Sequence, residues 1–415
     1  MLCGSAAAAD FSLTGFGTLG YARSDKPYAY QRFINDAGTL KRDSVAGIQA
    51  DARFSDSFGA TLQVLATPAS DTDQRYEATF AWAFLSWRPT NDWLIRAGKQ
   101  RIPLYLYSQT YNVGVTHGFA RLPTEMYSIS PSNDFTGIST SKNWDLEDGE
   151  VTLDAYWGNS DLDVRFWIRD GVRPTIKPGP LFRPLSIEGG GLALSYKRRD
   201  DTFRIGLSRV VVDERNSTNA YPTTYPFVTL FPGIGYYQVD ASLPGPGVPT
   251  INNYSYRTLT LGADVGIGAD FRLITEFARS FVYQTEFSTQ SVRGYASILR
   301  RVEKWTPYAT VAFLRSDRGT LNLRDNVNSN SVPPFIPGAD LINASQRAGA
   351  DNLLAYDQRS WALGTSYSLS ATSVMKAELM RAHVHRTSSM VDGPPGSNIR
   401  NQKINVFSMA YNFVF

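Results

Sequence analysis

Three histidines, His117, His383 and His385, and a single cysteine, Cys3, are the side chains best suited to metal or nucleophilic chemistry. His383 and His385 stand two apart, so on an extended strand they share a face and could begin a metal site. No cysteine or carboxylate stands at ligand spacing beside them. A Ser–His hydrolase pair would need a serine matched to His383, and nothing in the sequence selects one. No Gly-rich loop ends in Lys-Ser or Lys-Thr, and no Cys-x-x-Cys-His haem site occurs. The residues therefore predict no catalytic group, no cofactor and no metal.

What remains is charge at alternate positions. Gln49, Asp51 and Arg53 alternate with Ala50, Ala52 and Phe54. Gln63, Arg96, Gln100, Arg204, Asp264, Arg272, Glu276, Lys376 and Glu378 lie in similar stretches. Phe271, Leu273, Thr275 and Phe277 oppose Arg272, Ile274, Glu276 and Ala278. A period of two is the signature of a strand with one apolar and one wet face. Charges of both signs on the wet side of a low-dielectric wall set up a field across whatever that side encloses.

These positions belong to a long succession of strands. Asp10 to Tyr21 places Phe11, Leu13, Leu19 and Tyr21 on one face against Ser12, Thr14 and Thr18. The same pattern predicts strands over 45–54, 58–66, 76–88, 92–100, 134–145, 149–158, 184–198, 201–212, 254–267, 269–281, 289–302, 305–316, 357–369, 372–386 and 402–415. With 10–21 these number sixteen. Their connections alternate in length. Short ones such as 55–57, 89–91, 146–148 and 199–200 separate long ones at 22–44, 67–75, 101–133, 159–183, 213–253, 282–288, 317–356 and 387–401. Short turns at one end and long loops at the other predict an all-β, transmembrane, antiparallel up-and-down barrel.

Composition agrees. The 415 residues are 42% hydrophobic and 13% aromatic, with 33 Gly and a net charge of +3. No run of about eighteen apolar residues exists, which excludes a bundle of membrane helices. The small net charge gives no reason to expect nucleic acid as a partner. The opening MLCGSAAAAD looks like the tail of a secretory signal peptide, with an Ala-x-Ala site at Ala7 and Ala9. Residues 1–9 are read as that remnant and 10–415 as one barrel, so a chain cleaved there carries no cysteine. Strand one starts too early for an N-terminal plug of the kind used by energised siderophore transporters.

The last strand carries Phe407, Met409, Tyr411, Phe413 and Phe415 on one face. It resembles the C-terminal signal of Gram-negative outer-membrane barrels, which implies recognition by the barrel-assembly machinery. With sixteen strands and a long third external loop, the chain resembles the general (trimeric) porin superfamily. That resemblance implies a homotrimer in outer-membrane lipid, with the third loop, 101–133, folded into the barrel as a constriction. The candidate constriction residues are Arg101, Tyr105, Tyr107, His117, Arg121 and Glu125. The loop departs from the family's acidic PEFGG-like motif: Pro123 to Tyr127 is the nearest match, and Glu125 is its single acid. With Arg53, Arg96 and Arg272 on the wall, the sequence predicts passive diffusion of small hydrophilic solutes and ions with a mild preference for anions. Two alternatives stand beside it. One is a channel selective for a particular anion or sugar, with Tyr105, Tyr107 and Tyr111 as an aromatic ladder. The other is a non-conducting barrel acting as scaffold or adhesin. The 213–253 loop is too apolar for a free solvated tail and is expected to cover the mouth or meet a neighbouring subunit.

Overall fold

The computed structural model describes residues 10–129, 132–215, 221–268, 270–287 and 289–415. The signal-peptide reading of residues 1–9, with Cys3, lies outside them. Sixteen antiparallel strands close into one barrel. They are β1 (Asp10–Ser24), β2 (Val45–Arg53), β3 (Phe58–Pro68), β4 (Tyr76–Thr90), β5 (Trp93–Arg101), β6 (Asp134–Leu146), β7 (Gly149–Ile168), β8 (Gly179–Arg198), β9 (Asp201–Glu214), β10 (Asn253–Gly266), β11 (Phe271–Phe281), β12 (Ser291–Arg300), β13 (Trp305–Ser316), β14 (Tyr356–Ser370), β15 (Ser373–Ser388) and β16 (Gln402–Val414). Closure matters physically because lipid cannot hydrogen-bond a free strand edge.

Alternation sets the two faces. Leu13, Leu85, Ile138, Trp157, Leu207, Val311, Leu363 and Leu379 are exposed on the outside, while their sequence neighbours point inward. Large apolar groups standing in the open form a lipid-facing belt. The seam between β16 and β1 is set by Gly17↔Phe413, Leu19↔Tyr411 and Tyr21↔Met409. Glycine is required there: a Cβ on Gly17 would stand 2.6 Å from the Phe413 ring, and one on Gly15 would stand 2.2 Å from that of Phe415. Two aromatic rings thus lie over bare backbone and seal the join. A bulge opposite Gln63 and Val64 shifts the phase of β4, so Phe80 and Leu85 both face lipid although five residues apart.

The long loops hold more order than the sequence reading assigned. β7 and β8 run well past their neighbours, so the expected 159–183 loop shrinks to 169–178. Leu162, Val164, Phe166 and Ile168 continue the alternation between Asp161, Asp163 and Arg165. The 317–355 segment contains two helices, α2 (Arg318–Ser329) and α3 (Ala339–Asp351), where no helix was expected; a one-turn helix, α1 (Thr124–Tyr127), lies on the third loop. Asp317 caps α2 by accepting from the Gly319 N–H at 2.9 Å. The apolar 221–252 stretch packs on these helices. Tyr236 and Leu243 meet Val332, Ile336 and Ile342, and Tyr225 meets Leu323, Val327 and Leu353.

Ion pairs tie the β7–β8 hairpin to the far side of the ring. The Arg165 guanidinium donates to both oxygens of Asp392, at 2.9 and 2.6 Å, and to Asp73 at 2.9 Å. Trp167 Nε1 donates to the Gly393 carbonyl at 2.8 Å. Arg169 donates through Nε to Asp351 at 2.7 Å, and Arg347 pairs with Asp170 at 3.0 Å. Asp392 and Gly393 lie between β15 and β16, opposite β7 in the strand order. Burial raises the Asp392 and Asp351 carboxyls, against which Arg165 and Arg169 respectively act.

Candidate functional site

The 102–133 loop begins at the rim, where Arg101 closes β5 opposite Asp134. From there it crosses to the wall formed by β9 to β16. Arg204 on β9 donates to the Pro103 carbonyl at 2.6 Å, and Thr260 on β10 to that of Leu104 at 3.2 Å. Glu276 on β11 accepts from the Leu106 N–H at 2.7 Å, the Tyr127 hydroxyl at 2.5 Å and the Tyr295 hydroxyl at 2.8 Å. Tyr105 takes a 2.6 Å hydrogen bond from Arg293, a guanidinium with no exposed surface. A buried carboxylate or guanidinium is tolerated only when its hydrogen-bonding capacity is met, and here the loop meets much of it.

Lys376 on β15 makes the most concentrated contact. Its ammonium donates to the carbonyls of Gly114, His117 and Phe119 at 2.5, 2.7 and 2.9 Å. Phe119 is fully buried and meets Tyr308 edge to face at 5.3 Å. The Tyr308 hydroxyl accepts from the Ala120 N–H and donates to Glu378, each at 2.9 Å. Arg121 pairs with Asp43 of the first long loop. Burial alone would raise the Asp43 carboxyl, but Arg121 and Arg42 more than offset this and hold it below its ordinary value. Glu125 accepts from Gln358 at 2.8 Å, and its burial raises its carboxyl. His117 is held well below its ordinary value by burial and by Lys376.

The tyrosines of this loop are packing groups. Tyr105 stands edge to face with Tyr127 at 5.4 Å, Tyr111 stacks on Tyr127 at 6.1 Å, and Tyr107 sits against His117 and Phe119. Tyr105 is buried in one cluster with Ile274, Tyr295 and Leu299, and Tyr107 and Tyr111 are half-buried against it, so the three are not the free ladder weighed for a sugar path.

The predicted inward residues fall into two groups. Glu276, Lys376 and Glu378 point inward but lie beneath the loop, which they hold. Arg204 also contacts it. Asp264 and Arg272 pair with each other near the short turns, at 2.7 Å, and Arg53 pairs with Asp56 there. The second group faces the loop from β2 to β7. Gln63 donates to Gln49, Gln49 to Asp51, and Thr61 to Asp51, at 2.8, 2.8 and 2.6 Å. Beside them Arg96, Gln100 and Arg101 share a recess with Trp82, Phe84, Ser139, Ser141, Asp154 and the loop residues Pro103 and Gln109. Asp154 is engaged by Arg204 at 3.2 Å and Ser141 at 2.6 Å. The Arg96 guanidinium instead lies over the Phe84 ring at 5.5 Å, and Asp134 pairs with Lys99 at 3.7 Å rather than with Arg101. Among the described residues neither Arg96 nor Arg101 is in an ion pair.

Sequence reasoning missed Asp43, Tyr295, Arg293, Tyr308 and Gln358 as parts of this site. The available signal was an inward row of bulky polar groups, Arg293, Tyr295, Tyr308 and Gln358, on adjacent strands, where an open channel would carry small ones.

A closed barrel with an apolar belt and long loops at one end is an outer-membrane structure. No protein-family model and no curated protein matches the chain. Solved structures do. OmpT of Vibrio cholerae, described as outer-membrane expressed, shares 12% identity at a TM-score of 0.51, over 100% of this chain and 99% of that one. The outer membrane channel DcaP of Acinetobacter baumannii shares 11% at 0.52, over 99% of each. An anion-selective porin from Comamonas acidovorans shares 10% at 0.51, over 98% and 100%. The chain has the fold of the Gram-negative outer-membrane porins.

Proposed function

We propose that the protein is a passive channel for small hydrophilic solutes in the outer membrane, with a mild preference for anions, and not an enzyme. The observation that carries this is the division of the lumen's charges. The carboxylate of Glu276 is spent on docking the loop, that of the loop's Glu125 on Gln358, that of Glu378 on the Tyr308 hydroxyl that holds Ala120, and those of Asp43 and Asp154 on arginines. Arg96 and Arg101 keep their charge for the passage between loop and wall, two cations against the carboxylate of Asp51, which only neutral donors hold. A net positive field in a low-dielectric constriction raises the local concentration of anions. The same recess supports a second reading, selectivity for a particular anion with an apolar part, because Trp82 and Phe84 stand 6.0 Å apart beside Arg96.

A homotrimer belongs to this reading. Ala50, Ala52, Ala60, Ala83 and Ala97 form a shallow lipid-side groove between Phe11, Leu62 and Leu85. Such a surface suits close packing of a second barrel better than an acyl chain alone. Assembly through the outward apolar groups Phe407, Met409 and Tyr411 of β16 is part of the same proposal.

The test is single-channel conductance in a planar bilayer under a salt gradient. The wild type is expected to conduct with a reversal potential favouring anions. Each of Arg96→Gln and Arg101→Gln removes one charge; at ~8 Å in water-like dielectric this is worth about 0.5 kcal/mol. The anion concentration beside it should therefore fall, and the cation concentration rise, roughly twofold, so the anion-to-cation permeability ratio should fall roughly fivefold per arginine. A folded but silent protein overturns the proposal, and an unchanged ratio overturns its electrostatic part.

A further inference from the structure

The outward face near the long-loop end of β13 to β16 carries bases. Arg315, Arg359, Arg381, His383, His385 and Lys403 line one groove of about 990 Å³, bounded on the belt side by Val311, Phe313 and Trp361. All alternate with buried inward residues: Leu314, Gln358, Ala382, Val384 and Ile404. They share a face with the lipid-exposed Val311, Trp361 and Leu379, so they point away from the lumen.

The register places these bases beside one another. Across the strands Phe313 pairs with Arg359, Arg359 with His383, and His383 with Lys403. One row toward the belt, Trp361 pairs with Arg381. Arg359 and Lys403 thus flank one imidazole from either side, with Arg381 on the same strand as that imidazole, and cations gathered on one face of a sheet repel one another. Little on this face relieves them. Asp357 reaches Arg315 at 3.8 Å. Arg381 donates to Asn405 at 2.6 Å and lies over Trp361 at 5.8 Å. The two histidine rings are 4.2 Å apart. Asp25 is taken by Asn405, which donates to it at 2.9 and 2.6 Å. Among the described residues Arg359 and Lys403 are in no ion pair. Basic side chains on a lipid-facing barrel wall are costly at the midplane and nearly free at the interface. The groove is therefore a headgroup-level feature, above a step of apolar and aromatic groups.

We propose that this groove binds a phosphate-bearing lipid of the outer leaflet. Its phosphates would sit among Arg359, Arg381 and Lys403, and its acyl chains would lie on Val311, Phe313 and Trp361. Guanidinium groups bind phosphate through paired charge-assisted hydrogen bonds, and an anion there offsets the mutual repulsion of Arg359, Arg381 and Lys403. A second copy docked through the same face would set bases against bases.

The experiment compares bisphosphorylated lipid A with its dephosphorylated form, as ligands of the detergent-purified full chain, by native mass spectrometry. The phosphorylated form is expected to be retained at least tenfold better. Combining Arg359→Gln, Arg381→Gln and Lys403→Gln should abolish that preference, and the charge-conserving set Arg359→Lys, Arg381→Lys and Lys403→Arg should keep it. Equal retention of the two lipids by the wild type overturns the proposal without any variant. So does a preference that survives the glutamine set, or a glutamine set that changes only the oligomeric state. Conductance of the same preparation reads the channel separately, so a silent barrel that still prefers the phosphorylated lipid refutes the channel and leaves the lipid site standing.

Discussion

Replacing Lys376 with methionine is the sharpest test of what holds the loop in the lumen. Methionine keeps most of the side-chain volume, so little cavity is left. It removes the ammonium and leaves the carbonyls of Gly114, His117 and Phe119 without the donor they share at 2.5 to 2.9 Å. Hydrogen bonds to a charged group contribute about 1.5–3 kcal/mol each, but three sharing one donor are not additive. Loss of the buried charge also removes its own desolvation cost, so a net loss of about 3–5 kcal/mol is reasonable. That multiplies the population of undocked loop by roughly two to more than three orders of magnitude. The barrel wall is untouched, since β15 keeps its backbone pairs to β14 and β16. In a planar bilayer the variant should show larger, noisier single-channel steps than the wild type. Added protease should cut it between residues 102 and 133. A folded Lys376→Met protein with wild-type step size, wild-type noise and an uncut loop would refute the reasoning.

Two further outcomes follow from charges that the fold buries. Burial raises the Glu125 carboxyl above its ordinary 4.5. A raised native value makes the proton favour the folded state, so this group's penalty is absent below pH ~4.5 and grows as pH rises through the raised native value. Glu125→Gln should therefore flatten the rise of thermal unfolding temperature on going from pH 8 to pH 5, and an unchanged slope would count against it. At the mouth, Arg165→Gln strands Asp392, which is nearly buried, and weakens the hold on Asp73. The local cost of about 3–5 kcal/mol should speed protease cutting in the 389–401 segment at least tenfold, while the barrel's resistance to heat in detergent stays unchanged.

The barrel was legible because lipid and lumen impose opposite demands on adjacent residues, and that conflict is written locally. Phe271 to Ala278 discloses its two faces without any partner strand. The extension of β7 and β8 was not legible in the same way. Above the membrane Asp161, Asp163 and Arg165 can stand where lipid-facing residues would be apolar, so the alternation lost its contrast just where the strands continue. α2 and α3 were hidden by length, since two helices of 12 and 13 residues sit in a segment that reads as connection. The site was legible by half. The inward positions of Glu276, Lys376 and Glu378 followed from period two. Their burial under the loop did not, because Lys376 meets His117 across 259 residues of sequence, and nothing near either one announces the other.

The tie from Arg165 to Asp392 spans 227 residues and joins opposite sides of the ring. Neither partner can reach the other until the first and last strands have met. It is therefore a closure-dependent latch, and its formation reports that the hoop is complete. Once latched, the spoke braces a wide hoop against flattening into an ellipse, a deformation that would otherwise change the cross-section of the passage without breaking a single strand pair.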